Sequence, residues 1–132
     1  MLVKVYGSAV FGIEATTITV EVNIDKGIGY HLVGLPDKAV SESSYRISAA
    51  LNNNQYNLPG KKIIINMAPA DIRKEGSAYD LPIALGIMKA SEQVLFPELE
   101  IVPIKLADLY PVQLLMRFKR WIFPNCSIFF SQ

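Results

Sequence analysis

The chain has 132 residues, with 13 Lys+Arg against 12 Asp+Glu, a formal net charge of +1 and 51% hydrophobic residues, the profile of one globular domain with a core of its own. A single cysteine, Cys126, and a single histidine, His31, exclude an internal disulfide framework and a Cys/His zinc site. The balanced charge argues against a DNA-coating protein with a strong basic excess, and no apolar run reaches the length of a membrane span or forms an export signal, so the sequence predicts a cytoplasmic protein with no membrane partner.

Leu2 to Tyr6 reads as a short strand. From Ile18 to Ile24, apolar Ile18, Val20, Val22 and Ile24 alternate with Thr19, Glu21 and Asn23, the period of a strand with one buried face. Tyr30 to Val33 is a third strand, and Asp25, Lys26 and Gly27 before it suggest a hairpin turn and an antiparallel meander. Gly34, Leu35 and Pro36 stop the extended pattern. Asp37 can then cap a helix reaching Leu51, with Val40, Ile47 and Leu51 at helical spacing, and Asn52 to Asn54 ends it. Lys61 to Met67 holds Ile63, Ile64 and Ile65 in succession, which predicts a central strand covered on both faces. After a polar connection, Asp80 is placed to cap a second helix, Leu81 to about Lys89, with Pro82 tolerated in the first turn. The resulting expectation is an α+β domain with one layer of helices on one mixed sheet.

Composition changes after about Val94. Residues 95 to 132 hold none of the 8 glycines but 5 of the 6 phenylalanines, the only Trp and 4 of the 8 prolines. Such a stretch lacks the residue that most readily makes turns, and its aromatic end is of a kind that aggregates when exposed. The chain therefore divides into a domain over 1–94 and a divergent tail over 95–132. The tail is either an aromatic closing strand of the same core or, from about Ile101, an out-of-frame end from a frameshifted or truncated gene. The latter is the expectation adopted, and it would expose a sheet edge through which two copies could associate.

Three stretches carry a specific resemblance. Gly34-Leu35-Pro36-Asp37-Lys38-Ala39-Val40-Ser41-Glu42-Ser43, then Ala68-Pro69-Ala70-Asp71-Ile72-Arg73-Lys74-Glu75-Gly76-Ser77 and Asp80-Leu81-Pro82-Ile83-Ala84-Leu85-Gly86-Ile87, resemble the N-terminal domain of the bacterial ComM/YifB family of magnesium-chelatase-like AAA+ ATPases. The resemblance implies an α+β fold similar to the Lon proteolytic domain and to a ribosomal-protein domain. It also implies an accessory role, in assembly or DNA guiding, beside an AAA+ module that uses ATP and magnesium, forms rings and moves branched DNA in natural transformation. The 132 residues contain no Gly-x-x-x-x-Gly-Lys-Ser/Thr phosphate loop, so ATP hydrolysis is not carried over to this chain, nor is a cofactor or metal.

Two other function classes compete with that accessory role. A Lon-like peptidase needs a serine nucleophile and a lysine whose pKa burial has lowered. Ser77 is the candidate, yet in ungapped alignment with the Lon loop Ala78 takes the nucleophile's place, and a turn or capping serine explains Ser77 better. An independent nucleic-acid-binding module would use Lys74, Arg73 and Lys38, with Lys61 and Lys62, as a phosphate-binding patch. Asp37, Asp71 and Glu75 interrupt that patch, which favours solvated surface charge for each cation taken singly.

Overall fold

The computed structural model describes residues 1–11 and 13–94. In chain order these form β1 (Leu2–Phe11), β2 (Glu14–Asp25), β3 (Gly29–Val33), α1 (Lys38–Ser41), α2 (Ser43–Asn53), β4 (Lys62–Ala68) and α3 (Asp80–Ala90). The divergent tail lies outside the described residues. Among them no helix is long and apolar enough to cross a membrane.

Among the described residues one four-stranded sheet has the order β1-β2-β4-β3. β1 and β2 form a long antiparallel hairpin, pairing from Leu2 with Asn23 to Phe11 with Glu14. β1 thus extends five residues beyond the short strand expected from its sequence. The meander expected after it is not formed. β4 enters between β2 and β3, antiparallel to β2 and parallel to β3, so the 25–29 turn carries β3 past the vacant lane to the sheet edge. Local turn chemistry signals a change of direction but not which strand fills the neighbouring lane.

The register sorts the side chains onto two faces. Val3, Ile18, Val20, Val22, Ile63, Ile65 and Met67 are buried on one face, where they meet Val40, Ile47 and Leu51 of the first two helices and Ile83 and Ile87 of α3. On the other face Ile64 and Asn66 alternate with them and are half-buried. Among the described residues the three successive isoleucines therefore do not mark a strand covered on both faces. β4 is central in the hydrogen-bonding direction, but among the described residues only one of its faces is packed. The open face holds Lys4 3.1 Å from Glu21, whose other carboxylate oxygen accepts from Asn66 at 3.0 Å. These hydrogen bonds, with that of Asn66 first in effect, hold the Glu21 carboxyl below its usual range.

The expected single helix after Asp37 is two. The Glu42 N–H is shared between the Lys38 and Val40 carbonyls, and the chain restarts as α2 at Ser43. α3 is apolar on nearly every side, as its sequence indicates, and packs against β1 and β2 with α2 alongside. Gly86 allows the close approach: a Cβ built there would stand 2.5 Å from Val22 Cγ2. Asp80 does not cap α3. It is the first helical residue, and its carboxylate is taken by an arginine 34 positions earlier.

Candidate functional site

β3 and β4 run parallel, so both deliver their following loops to the same end of the sheet, the usual place for functional loops in sheets with parallel strands. The first two family-like stretches meet there. Gly34 leaves β3 with a φ of +109°, and a Cβ built on it would lie 2.1 Å from the Met67 carbonyl oxygen, so only glycine permits this contact. Leu35 follows with a φ of 53°, an uncommon conformation for a leucine, and its side chain is exposed.

Beyond the strands, the loops are joined by backbone hydrogen bonds. Lys74 N–H donates to the Leu35 carbonyl at 3.1 Å, and Asp37 N–H donates to the Lys74 carbonyl at 2.9 Å, a short parallel bridge of Pro36 with Lys74. The Asp37 carboxylate then serves both segments. One oxygen accepts from Val40 N–H at 2.7 Å and caps α1, as the sequence predicts; the other accepts from Gly76 N–H at 3.1 Å. The Val40 amide contributes most to holding this carboxyl below its usual range, with burial opposing and Gly76 assisting.

Behind the junction, Arg46 of α2 grips Asp80 with both arms. Nε stands 2.6 Å from one carboxylate oxygen and Nη2 2.9 Å from the other, while Nη2 also donates to the Ala39 carbonyl at 2.7 Å. A planar guanidinium matches a carboxylate in this way, and here it ties α1, α2 and α3 together. The hydrogen bond to Asp80 raises the Arg46 pKa further. Nearby, the Tyr30 and Ser43 hydroxyls are buried close to one another, and burial pushes the Tyr30 phenol up with Ser43 acting in the opposite sense.

The cations named from the sequence fall into different environments. Lys74 is fully buried, and its ammonium donates to the Pro69 carbonyl, so it does not belong to a solvent-facing phosphate patch. Burial lowers its pKa, with Asp71 acting in the opposite sense. Residue type alone marked Lys74 as surface. At the junction its own N–H and carbonyl are both bonded, to Leu35 and Asp37, and its side chain is buried there. Lys38 is exposed and lies 3.8 Å from Glu42, and Arg73 is exposed and lies 3.2 Å from Glu75. The ends of β3 and β4 therefore present cations already paired with acids. Lys61 and Lys62 sit at the start of β4, at the opposite end of the sheet from Arg73 and Lys74.

Ser77 is exposed, and its carbonyl accepts from the Asp80 N–H at 3.2 Å. Among the described residues no hydrogen bond joins its hydroxyl to a lysine, so they do not assemble a Ser/Lys pair. No group of three or more His, Cys, Asp or Glu able to hold a metal occurs among them either. The Arg46–Asp80 clamp and the second arm of Asp37 were missed from sequence. Each joins residues more than 30 positions apart, and no local pattern announces such a pair.

A small α+β domain with a four-stranded mixed sheet, helices on one face and two glycine-containing loops bonded at the ends of its parallel strands is the class that fold and site define. The family model described as subunit ChlI of Mg-chelatase matches residues 20–106, and the chain belongs to that family. It is 48% identical to competence protein ComM of Haemophilus influenzae over 94 residues, 70% of this chain and 18% of that protein. It is 50% identical to YifB of Escherichia coli over 91 residues, 68% of this chain and 18% of that protein. A Mycobacterium bovis relative, Mb2921c, is 34% identical over 98 residues, 74% of this chain and 20% of that protein. The chain thus spans about a fifth of the length of these relatives.

Proposed function

We propose that residues 1–94 are an accessory domain of a magnesium-chelatase-like AAA+ ATPase acting in DNA processing, built on a Lon-like scaffold. It serves in assembly or DNA guiding and performs no hydrolysis itself. The observation that carries this reading is the junction of Gly34, Asp37, Lys74 and Gly76. The Asp37 carboxylate and N–H, the Lys74 N–H and carbonyl and the Gly76 N–H are engaged in holding two loops in one shape, which suits a surface presented to a partner and not a group poised to attack a substrate. That the H. influenzae relative is a competence protein supports the DNA-processing context. In this reading the partners are the ATPase module, which would supply the ATP and magnesium chemistry, DNA, and other copies in the same assembly. The setting is the cytoplasm, and residues 95–132 stand outside the working domain.

The test is a chimaera. Residues 1–94 replace the matching segment of H. influenzae ComM in a strain lacking its own copy, and natural transformation is scored beside protein level. Transformation near that of the intact relative is expected, and equally so with Ser77→Ala. A chimaera that accumulates normally but does not transform overturns the accessory role. Loss of transformation in Ser77→Ala alone would restore the peptidase reading.

A further inference from the structure

At the sheet end away from the loop junction, the turn between β2 and β3 and the start of β4 come together. Lys62 pairs in register with Asp25 of β2 and with Gly29 of β3. Its side chain lies along the turn, where a Cβ built on Gly27 would stand 3.8 Å from Lys62 Cβ and 4.0 Å from Lys62 Cδ. Lys26 is in that turn, and Lys61 precedes Lys62. Lys26, Lys61 and Lys62 have no carboxylate partner among the described residues, in contrast to Lys38 and Arg73 at the other end.

The acid within this group, Asp25, turns one carboxylate oxygen onto the Lys26 backbone N–H at 2.7 Å. The backbone N–H groups of Gly27 and Ile28, between the two strands, meet no backbone or side-chain acceptor among the described residues. Gly27 carries a φ of 109° and no side chain, so an anion can approach the main chain there, while the His31 imidazole stands against Gly29. Two successive free amides beside the Lys62 side chain, with Lys26 in the same turn and Lys61 next to Lys62 in the chain, are the donor set of an anion site. Compact, flexible ammonium groups contact phosphate as point charges, without demanding a fixed bidentate geometry.

We propose that this end of the sheet, Lys26 to Ile28 with Lys61 and Lys62, binds the phosphodiester backbone of DNA. The inference deepens the DNA-processing reading and rests on it. It locates the DNA contact at the opposite end from the loop junction, which is left to face the partner subunit or module. The contact is to backbone and not to bases, so it is indifferent to sequence.

The experiment measures binding of the full 132-residue chain to labelled oligo-dT and to a labelled forked duplex by fluorescence anisotropy across a salt series. It compares the parent with Lys26→Gln/Lys61→Gln/Lys62→Gln and with a control, Lys38→Gln/Arg73→Gln. Each lost phosphate contact removes about 0.7 from the log–log salt slope on single strands and about 0.9 on duplex. The triple variant should therefore lose about 2 to 3 from the slope and bind about ten-fold or more weakly at low salt, while the control stays with the parent. Equal binding by parent and triple variant, loss in the control instead, or no binding by the parent each overturns the proposal. Competition by polyglutamate as effective as DNA of equal charge also overturns it, in favour of an acidic protein partner. The same triple substitution is placed in the ComM chimaera. If the unsubstituted chimaera transforms while the chain shows none of the expected DNA behaviour, the site fails and the accessory role stands. If that chimaera does not transform, the accessory role fails whatever the chain binds.

Discussion

Replacing Gly34 by alanine tests the junction at its tightest point. The new Cβ would stand 2.1 Å from the Met67 carbonyl oxygen and 3.0 Å from its carbon, and both are backbone atoms that cannot swing aside. Ordinary contact needs more than about 3.3 Å, so the chain leaving β3 must shift by roughly 1 Å from the end of β4. That shift weakens the two hydrogen bonds between Lys74 and the 35–37 segment, at about 1 kcal/mol each. A side chain at φ of +109° adds about 1–2 kcal/mol of backbone strain. The sum is about 3–4 kcal/mol, a large part of the roughly 5–10 kcal/mol that holds a domain of this size together. Urea unfolding followed by far-ultraviolet circular dichroism should place the midpoint about 2 M below that of the parent, taking a slope near 1.5 kcal/mol per molar. Two further glycines calibrate the measurement. Gly76→Ala meets open space but has a φ of +76°, so strain of about 1 kcal/mol is its whole effect. Gly60→Ala meets open space at an ordinary φ and should be neutral or stabilising by up to about 1 kcal/mol. A Gly34→Ala protein within about 1 kcal/mol of the parent, or one less affected than Gly60→Ala, refutes the reasoning.

Gly86→Ala gains about 1 kcal/mol of helix propensity but drives a methyl to 2.5 Å from Val22 Cγ2, an overpacking cost of about 1–3 kcal/mol. The double variant with Val22→Ala should therefore lose less stability than the two single losses summed; simple additivity in denaturant melts would show that the helix and β2 do not touch there. Lys74→Met replaces a buried ammonium by an apolar chain of similar volume and should be neutral or stabilising at pH 7. Because burial depresses the Lys74 pKa in the folded state, the unfolded chain binds the extra proton between that depressed value and the usual lysine value of 10.5. Stability from this group therefore rises with pH across that window and is flat in Lys74→Met. The Tyr30 and Tyr79 phenols, whose pKa values burial raises, act in the opposite sense above about pH 10, so the comparison is read as a difference between the two proteins. Identical pH profiles for parent and variant would place the Lys74 ammonium in solvent.

Strand β2 could be read from its sequence because one face is buried and the other wet, which writes a period of two directly into residue type. The two helical stretches were legible in position, and the Asp37 cap of α1 with them, but not the break that divides the first into α1 and α2. Pairing was not, since the insertion of β4 between β2 and β3 depends on contacts dozens of residues apart that leave no local signature. The three isoleucines of β4 misled for a related reason: Ile64 is apolar yet faces the open side of the sheet, where a half-buried position tolerates it. At the candidate site, charge was visible and burial was not. Lys74 and Arg73 are adjacent and both basic, yet at the junction one is buried and the other lies beside Glu75. The Asp80 side chain was assigned to its own helix because a partner 34 residues away cannot be seen in a window of ten.

The two-armed carboxylate of Asp37 bears on how the native molecule opens. One side chain accepts from the first turn of α1 and from the loop before α3, so neither amide can be freed by a local fluctuation without perturbing the acceptor of the other. Segments that would otherwise fray separately become one cooperative unit. In native-state hydrogen exchange the Val40 and Gly76 amides would then share a single opening free energy, and the protected core would extend from the sheet out to a surface loop that residue exposure alone would assign to the mobile rim.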